Sequence, residues 1–300
     1  MLNRAIESVL GQDFQEWTLM VVNDGGPAAA VDAVMAAHAD RLAGRAQVLH
    51  NPDSRGMEAA SNQGIRSSSS EFVAVHDDDD EWAPEFLATT VAYLDSHDDG
   101  GVTVETEIVY ERLTDTGREV EERVIFEPQL KAITLVDLLH YNRFVPISFL
   151  FRRSVYDALG GFDEGLAVVG DWEFHLRFLV ESEIGYLKGR PLAFWNQRRE
   201  AKGAEANSLI AGADDHLVYS LAVRDRLLRK HAQTHGLGPL LYERELIGVE
   251  VQRLHEHLDR VQVQLRALED VMERSIPSST SPLRLFARAL RRAAQGVRRR

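Results

Sequence analysis

The sequence predicts an α/β fold with a mixed sheet, followed by C-terminal helices and a coiled coil. Three observations carry this. Apolar runs of strand length alternate with segments of helical period up to about residue 97. A hairpin-like stretch follows in the middle of the chain. An apolar heptad seam runs through the last third.

Element by element, "LNRAIESVLGQ" places Leu2, Ile6, Val9 and Leu10 at helical spacing. "WTLMVV" reads as a buried strand stopped by the turn residues "NDGGP". An alanine-rich helix is expected to about Ala43, then a short strand, "AQVLH". "RGMEAASNQGIRSS" reads as a loop entering a helix, and "EFVAVH" as a third strand. Pro84 suits the first turn of the next helix, with Phe86, Leu87, Val91 and Leu94 inward. This alternation predicts parallel strands, with ligands beyond their carboxyl ends, where "NDGG" and "HDDDDEW" fall. "VTVETEIVYERL" and "EVEERVIF" flank a turn containing Gly117. "ISFLFRR", "IGYLK" and "PLAFWNQ" read as further strands, and "GDWEFHLRFLVES" as a helix with Asp171 at its N-terminus.

A net charge of -13 argues against a nucleic-acid partner. The absence of cysteine excludes disulfides and thiolate zinc sites and fits a cytoplasmic protein. No apolar run has the length of a membrane span.

"EFVAVHDDDDEW" sets four aspartates directly after a buried strand. Charge runs are usually solvated loop, but this one sits where α/β sheets gather ligands. A divalent cation, Mg2+ or Mn2+, would relieve the repulsion, using one or two carboxylates plus substrate phosphates. The spaced ligands and glycine of a calcium loop are absent.

Five segments, "RAIESVLGQDFQEWTLMVVNDGG", "RGMEAASNQGI", "EFVAVHDDDDEWAPEFL", "FLFRRSVYDALGGFDEGL" and "GDWEFHLRF", resemble the family 2 glycosyltransferases of the GT-A (Rossmann-like) fold, in that family's order. The resemblance covers roughly residues 1–210 and implies a hexosyl-type transferase with a nucleotide-sugar-binding domain. It maps Asp79 onto the main metal ligand, with Asp77 and Asp78 beside the metal or the donor ribose. Asp80 either orients the loop or caps the following helix. Asp24 resembles the contact to the nucleotide base, against a plain turn-forming role before two glycines. The family's diphosphate arginine is replaced by Ser61, for which Arg55 or Arg66 would compensate. Arg198 is a further candidate for the diphosphate, where relatives often carry histidine.

An inverting transfer needs a base for the acceptor hydroxyl. Similar transferases carry an acidic pair whose second member is that base; here the pair reads Gly170-Asp171, so Asp171 is the candidate and the first acid is missing. Helix capping is the structural alternative for Asp171, and core packing that for Trp172. The implied partners are a nucleotide-diphosphate sugar donor and, as acceptor, a surface glycan or lipid-linked acceptor of polysaccharide biosynthesis. A catalytically degenerate scaffold that oligomerises through its coil is the first alternative. A nucleotidyltransferase is the second, although no glycine-rich basic phosphate loop is visible.

The expected organisation is a transferase domain over 1–212, a helical extension over 213–239, a coiled coil over 240–274, a linker over 275–282 and a basic amphipathic tail over 283–300. Ile247, Val251, Leu254, Leu258, Val261, Leu265, Leu268 and Met272 step by four and three, which predicts a homo-oligomer. The tail holds seven arginines and no acid, with Leu283, Leu285, Phe286 and Leu290 interleaved, which suits peripheral contact with an anionic membrane on its cytoplasmic side. Relatives open with a buried strand before the helix at Leu2, so a first strand is expected to be missing, with Met1 an internal methionine or a boundary.

Overall fold

The computed structural model describes residues 1–114, 117–199 and 213–275; residues 276–282 of the expected linker, the basic tail and the end of the expected transferase domain lie outside them. The chain divides into two compact units, Met1–Arg226 and a second beginning at Leu227.

In the first unit, α1 (Leu2–Leu10) buries Ala5, Ile6 and Val9, as its spacing requires. Strand β1 (Leu19–Asp24) pairs in parallel with β2 (Ala46–Asn51), Leu19 opposite Ala46. The helix expected between them is broken. Helix α2 (Ala28–Ala37) ends at His38, α3 (Ala39–Leu42) follows, and Ala43 closes it in the left-handed conformation at φ 50°. His38 is tied to Asn3 Oδ1 at 2.8 Å, which fixes the break.

Helix α4 (Met57–Arg66) packs on β1 and leads to β3 (Phe72–Ala74). Strand β3 does not extend a parallel sheet from β1 and β2 as expected. It runs antiparallel to β8 (Phe149–Arg152) in a sheet of order β3-β8-β5-β9, with β5 Gly101–Val104 and β9 Ile184–Leu187. Hydrophobic pattern marks a strand but not its partner, and among the described residues β1 and β2 form a two-stranded sheet of their own.

A third sheet has the order β4-β10-β6-β7. Here β4 is Glu81–Trp82, β6 Thr106–Thr114, β7 Gly117–Ile125 and β10 Ala193–Gln197. Strands β6 and β7 form the expected hairpin. Helix α5 (Phe86–Ser96) starts two residues after Pro84 and buries Phe86 and Leu94 completely. Each such side chain contributes about 1.5–3 kcal/mol. After α6 (Leu135–Leu138) and α7 (Arg153–Leu159), α8 (Gly170–Glu181) lays Phe174 and Phe178 against Phe149 and Phe151 of β8.

Beyond residue 212 the described chain is helical, Ala213–His235 and Gly238–Ser275, broken at Gly236 with φ 75°. In the second helix Ile247, Leu254, Leu258, Leu265 and Leu268, five positions of the heptad face, are more than half exposed.

Candidate functional site

The four aspartates form a turn after β3, closed by Asp80 N–H donating to Asp77 O at 3.3 Å. Their roles diverge at once. Asp80 is 1% exposed and its Oδ1 accepts from Asn196 N–H at 2.8 Å. It therefore orients the loop against β10 rather than capping α5. Burial, with Asp77 and Asp79 nearby, pushes its pKa well up.

Asp79 is gripped from behind. Its carbonyl accepts from Arg4 (2.9 Å) and Asn196 Nδ2 (2.7 Å), and its Oδ2 accepts from Arg198 at 2.6 Å. Glu111, whose side chain is fully buried, faces Arg4 (2.9 Å), Arg198 (3.3 Å) and Arg118. A β-bulge aims it there: β7 carries an extra residue between the partners of Tyr110 and Glu111. Glu81 neutralises the same cluster, 3.3 Å from Arg4 and 2.7 Å from Arg118. Arg198, 5% exposed, thus stands behind the acid run as a support.

Asp77 is lifted to about 7 by burial, then by the charges of Asp79, Asp78, Asp171 and Glu58. Asp78 is raised by burial and by Asp79. His76 brings no charge to offset them, because burial lowers its pKa to about 4. The run is thus a patch of crowded carboxylates with Asp171 and Glu58 as electrostatic neighbours.

Asp171 lies in the first turn of α8. Val169 before it holds φ 60°, a conformation costly for a β-branched residue, and turns the chain into the helix. Asn142 Nδ2 donates to Asp171 Oδ2 at 2.7 Å, and His175 Nδ1 lies 3.1 Å from Asn142 Oδ1. Burial holds His175 neutral, with its pKa lowered to about 3. Burial raises Asp171 itself, opposed by the Trp172 N–H, by His216 and by Asn142. Trp172 is 4% exposed and donates to Leu138 O, so it is core.

Asp24 ends β1 with both oxygens engaged. Oδ1 accepts from Asn51 (2.9 Å); Oδ2 accepts from Ser54 Oγ (2.8 Å) and the N–H groups of Arg55 (2.8 Å) and Gly56 (2.9 Å). Burial raises its pKa, but these bonds outweigh it and the net shift is downward. The carboxylate holds the loop entering α4. Arg55 and Arg66 turn to Glu164, at 3.6 Å and 3.1 Å, in the segment before α8. Asn62 pins that segment to α4 through Phe162 O and Glu164, both at 2.9 Å.

Glu58, Asn142, Glu111 and His216 escape sequence reasoning. Glu58 alone left a signal: it shares the buried face of α4 with Asn62 and Ile65, where an apolar residue is expected.

The acid run suits a divalent cation in one way only. Among the described residues no group of three or more His, Asp or Glu forms a metal cage. Carboxylates that raise one another's pKa at one rim fit a cation held by one or two of them together with ligand phosphates.

Known proteins carry the same fold and sequence pattern. The Bacillus subtilis uncharacterized glycosyltransferase YwdF is 24% identical over 237 residues, 78% of this chain and 79% of its own. The Escherichia coli putative colanic acid biosynthesis glycosyl transferase WcaA is 34% identical over 92 residues, 30% of this chain and 32% of its own. Staphylococcus aureus TarS 1-349 in complex with UDP-GlcNAc superposes with a TM-score of 0.55 at 19% identity, covering 79% of this chain and 71% of that one. The glycosyl transferase family 2 profile matches residues 1–160, over half the chain. With its mixed sheets and its acid run beyond β3, this chain belongs to glycosyl transferase family 2 and is a GT-A glycosyltransferase.

Proposed function

We propose that this glycosyltransferase is metal-dependent and inverting, and that it moves a sugar from a nucleotide-diphosphate donor to a hydroxyl of a surface glycan or lipid-linked acceptor. The observation that carries the reading is the meeting of two acidic elements. Asp77, on the loop after β3, feels Asp171 at the start of α8. One side would receive the donor diphosphate and the other the acceptor. UDP and UDP-GlcNAc in TarS structures support a nucleotide-sugar donor.

Bound Mn2+ or Mg2+ would supply positive charge against the departing diphosphate. Asp79 and Asp77 would hold it, with Asp78 toward the ribose. Asp24 holds the loop that borders the donor, and Arg198 keeps the Asp79 carboxylate in place. Asp171 takes the proton from the acceptor hydroxyl as its oxygen bonds to the anomeric carbon. The bond from that carbon to the phosphate oxygen breaks on the opposite face, and its electron pair leaves with the diphosphate. Asn142 fixes the orientation of the Asp171 carboxylate for this step.

The test separates the two faces. Asp79→Asn should abolish the manganese-dependent thermal stabilisation by UDP, which mass action sets at about 2.7 kcal/mol at a hundredfold excess over Kd. Asp171→Asn should keep that stabilisation and lose sugar transfer. Near-normal transfer by Asp171→Asn refutes the assignment.

The exposed heptad face supports a homo-oligomer through paired helices. Among the described residues no helix is long and apolar enough to cross a membrane. The composition of residues 283–300 supports peripheral contact with anionic lipid on the cytoplasmic side.

A further inference from the structure

Glu58 is 3% exposed, and neither carboxyl oxygen has a hydrogen-bond partner. The N–H groups of Glu58 and Gly170 approach it and partly oppose burial, yet neither reaches hydrogen-bond geometry. A buried carboxyl left in this state costs stability, and such groups persist where they serve a site. Its position is specific. A Cβ added at Gly170 would lie 2.2 Å from Glu58 Oε1, 2.4 Å from Cγ and 2.6 Å from Cδ, its three nearest atoms. The Glu58 side chain fills the volume that a side chain at 170 would need, one residue from Asp171. Helix α8 has no side-chain cap of its own, so the carboxyl also meets its positive end.

We infer that Glu58 is a positioning residue for the transfer step: α4 inserts its carboxyl at the head of α8, in the space left by Gly170, where it forms an acidic pair with Asp171. This rests on Asp171 being the base. The pair gives the base a neighbour whose charge state answers its own. When Asp171 is ionised, Glu58 holds its proton more tightly; when both are ionised, Asp171 is the stronger base. Burial, then Asp171 and Asp163, keep Glu58 protonated up to about 7. The other charged groups felt at the pair are Asp77, through its charge alone, and His216 at Asp171, whose carboxylate also accepts from Asn142. The space at 170 also makes a carboxyl there and Glu58 mutually exclusive.

The first experiment needs no substrate. The stability of the wild type is compared with Glu58→Gln by denaturant midpoint across the pH range, on the natural and the Asp171→Asn backgrounds. The folded pKa of Glu58 is raised, so its contribution is complete below 4.5 and lost as pH rises through about 7. Glu58→Gln should remove that loss, and on the Asp171→Asn background the loss should move to lower pH. A loss that stays at the same pH on both backgrounds overturns the pairing.

The second experiment is kinetic, following UDP release from UDP-N-acetylglucosamine with manganese and water as acceptor. Glu58→Gln should slow release about tenfold or more and flatten the pH–rate profile near neutrality, with UDP affinity unchanged. Glu58→Ala combined with Gly170→Glu should recover rate and profile by returning the carboxyl from the neighbouring residue. Wild-type rate and profile in Glu58→Gln, beside an inactive Asp171→Asn, overturn the role of Glu58 alone. Wild-type release by Asp171→Asn removes the base assignment as well.

Discussion

Replacing Glu111 by glutamine tests whether the arginine cluster behind the acid run is a structural keystone. The side chain is fully buried and faces three guanidinium groups, those of Arg4, Arg118 and Arg198. These arginines are themselves 22%, 24% and 6% exposed, so solvent screens the cluster little. Breaking one partner out of a buried ion pair costs about 3–5 kcal/mol. Glu81 still serves Arg4 and Arg118, and Asp79 still serves Arg198, which puts the expected loss near the lower figure. For a domain of this size each kcal/mol shifts Tm by roughly 2–4 °C, so a fall of at least about 6 °C is expected. The assay is thermal unfolding followed by near-ultraviolet circular dichroism. Glu122→Gln is the internal control: its bond to Arg199 is 2.7 Å long, but both side chains are about half exposed. Exposed pairs contribute about 0–1 kcal/mol, so that variant should shift Tm by no more than a few degrees. Equal shifts in the two variants would refute the reasoning, since bond length rather than burial would then set the energy.

Other outcomes follow from the same geometry. Asn142→Ala should lower the rate of UDP release at saturating donor while sparing UDP affinity, because it frees the Asp171 carboxylate; steady-state kinetics would show this as a fall in kcat with KM little changed. His175 has a depressed folded pKa, so its contribution to stability is present above 6.5 and lost as pH falls from there toward about 3. His175→Gln should therefore flatten the acid side of the stability profile, as read by denaturant midpoints. Light scattering on the full chain should return the mass of a dimer or higher oligomer, and a chain cut before Gly236 that of a monomer; a monomeric full chain would remove the coiled-coil reading.

The sequence by itself determined where elements lie and which turns carry chemistry. Helical spacing in "LNRAIESVL" and the turn residues after β1 located α1 and Asp24, because periodicity and turn preference are local properties. The aspartate run was legible for the same reason, and motif order was enough to indicate the family. The partners of those elements were decided only in three dimensions. Pairing of β3 with β8 rather than with β1 depends on contacts across 75 or more residues, for which a short apolar strand has no private code. Asp80 and Asp79 are neighbours in a uniform run, yet one is buried against β10 and the other faces Arg198. Arg198 reads in the sequence as a candidate for the diphosphate; only the fold adds that Glu111 and Asp79 hold its guanidinium. The acid missing at Gly170 is matched in space by Glu58, 112 residues away in the chain, because folding fills volume and pairs charge without regard to sequence distance.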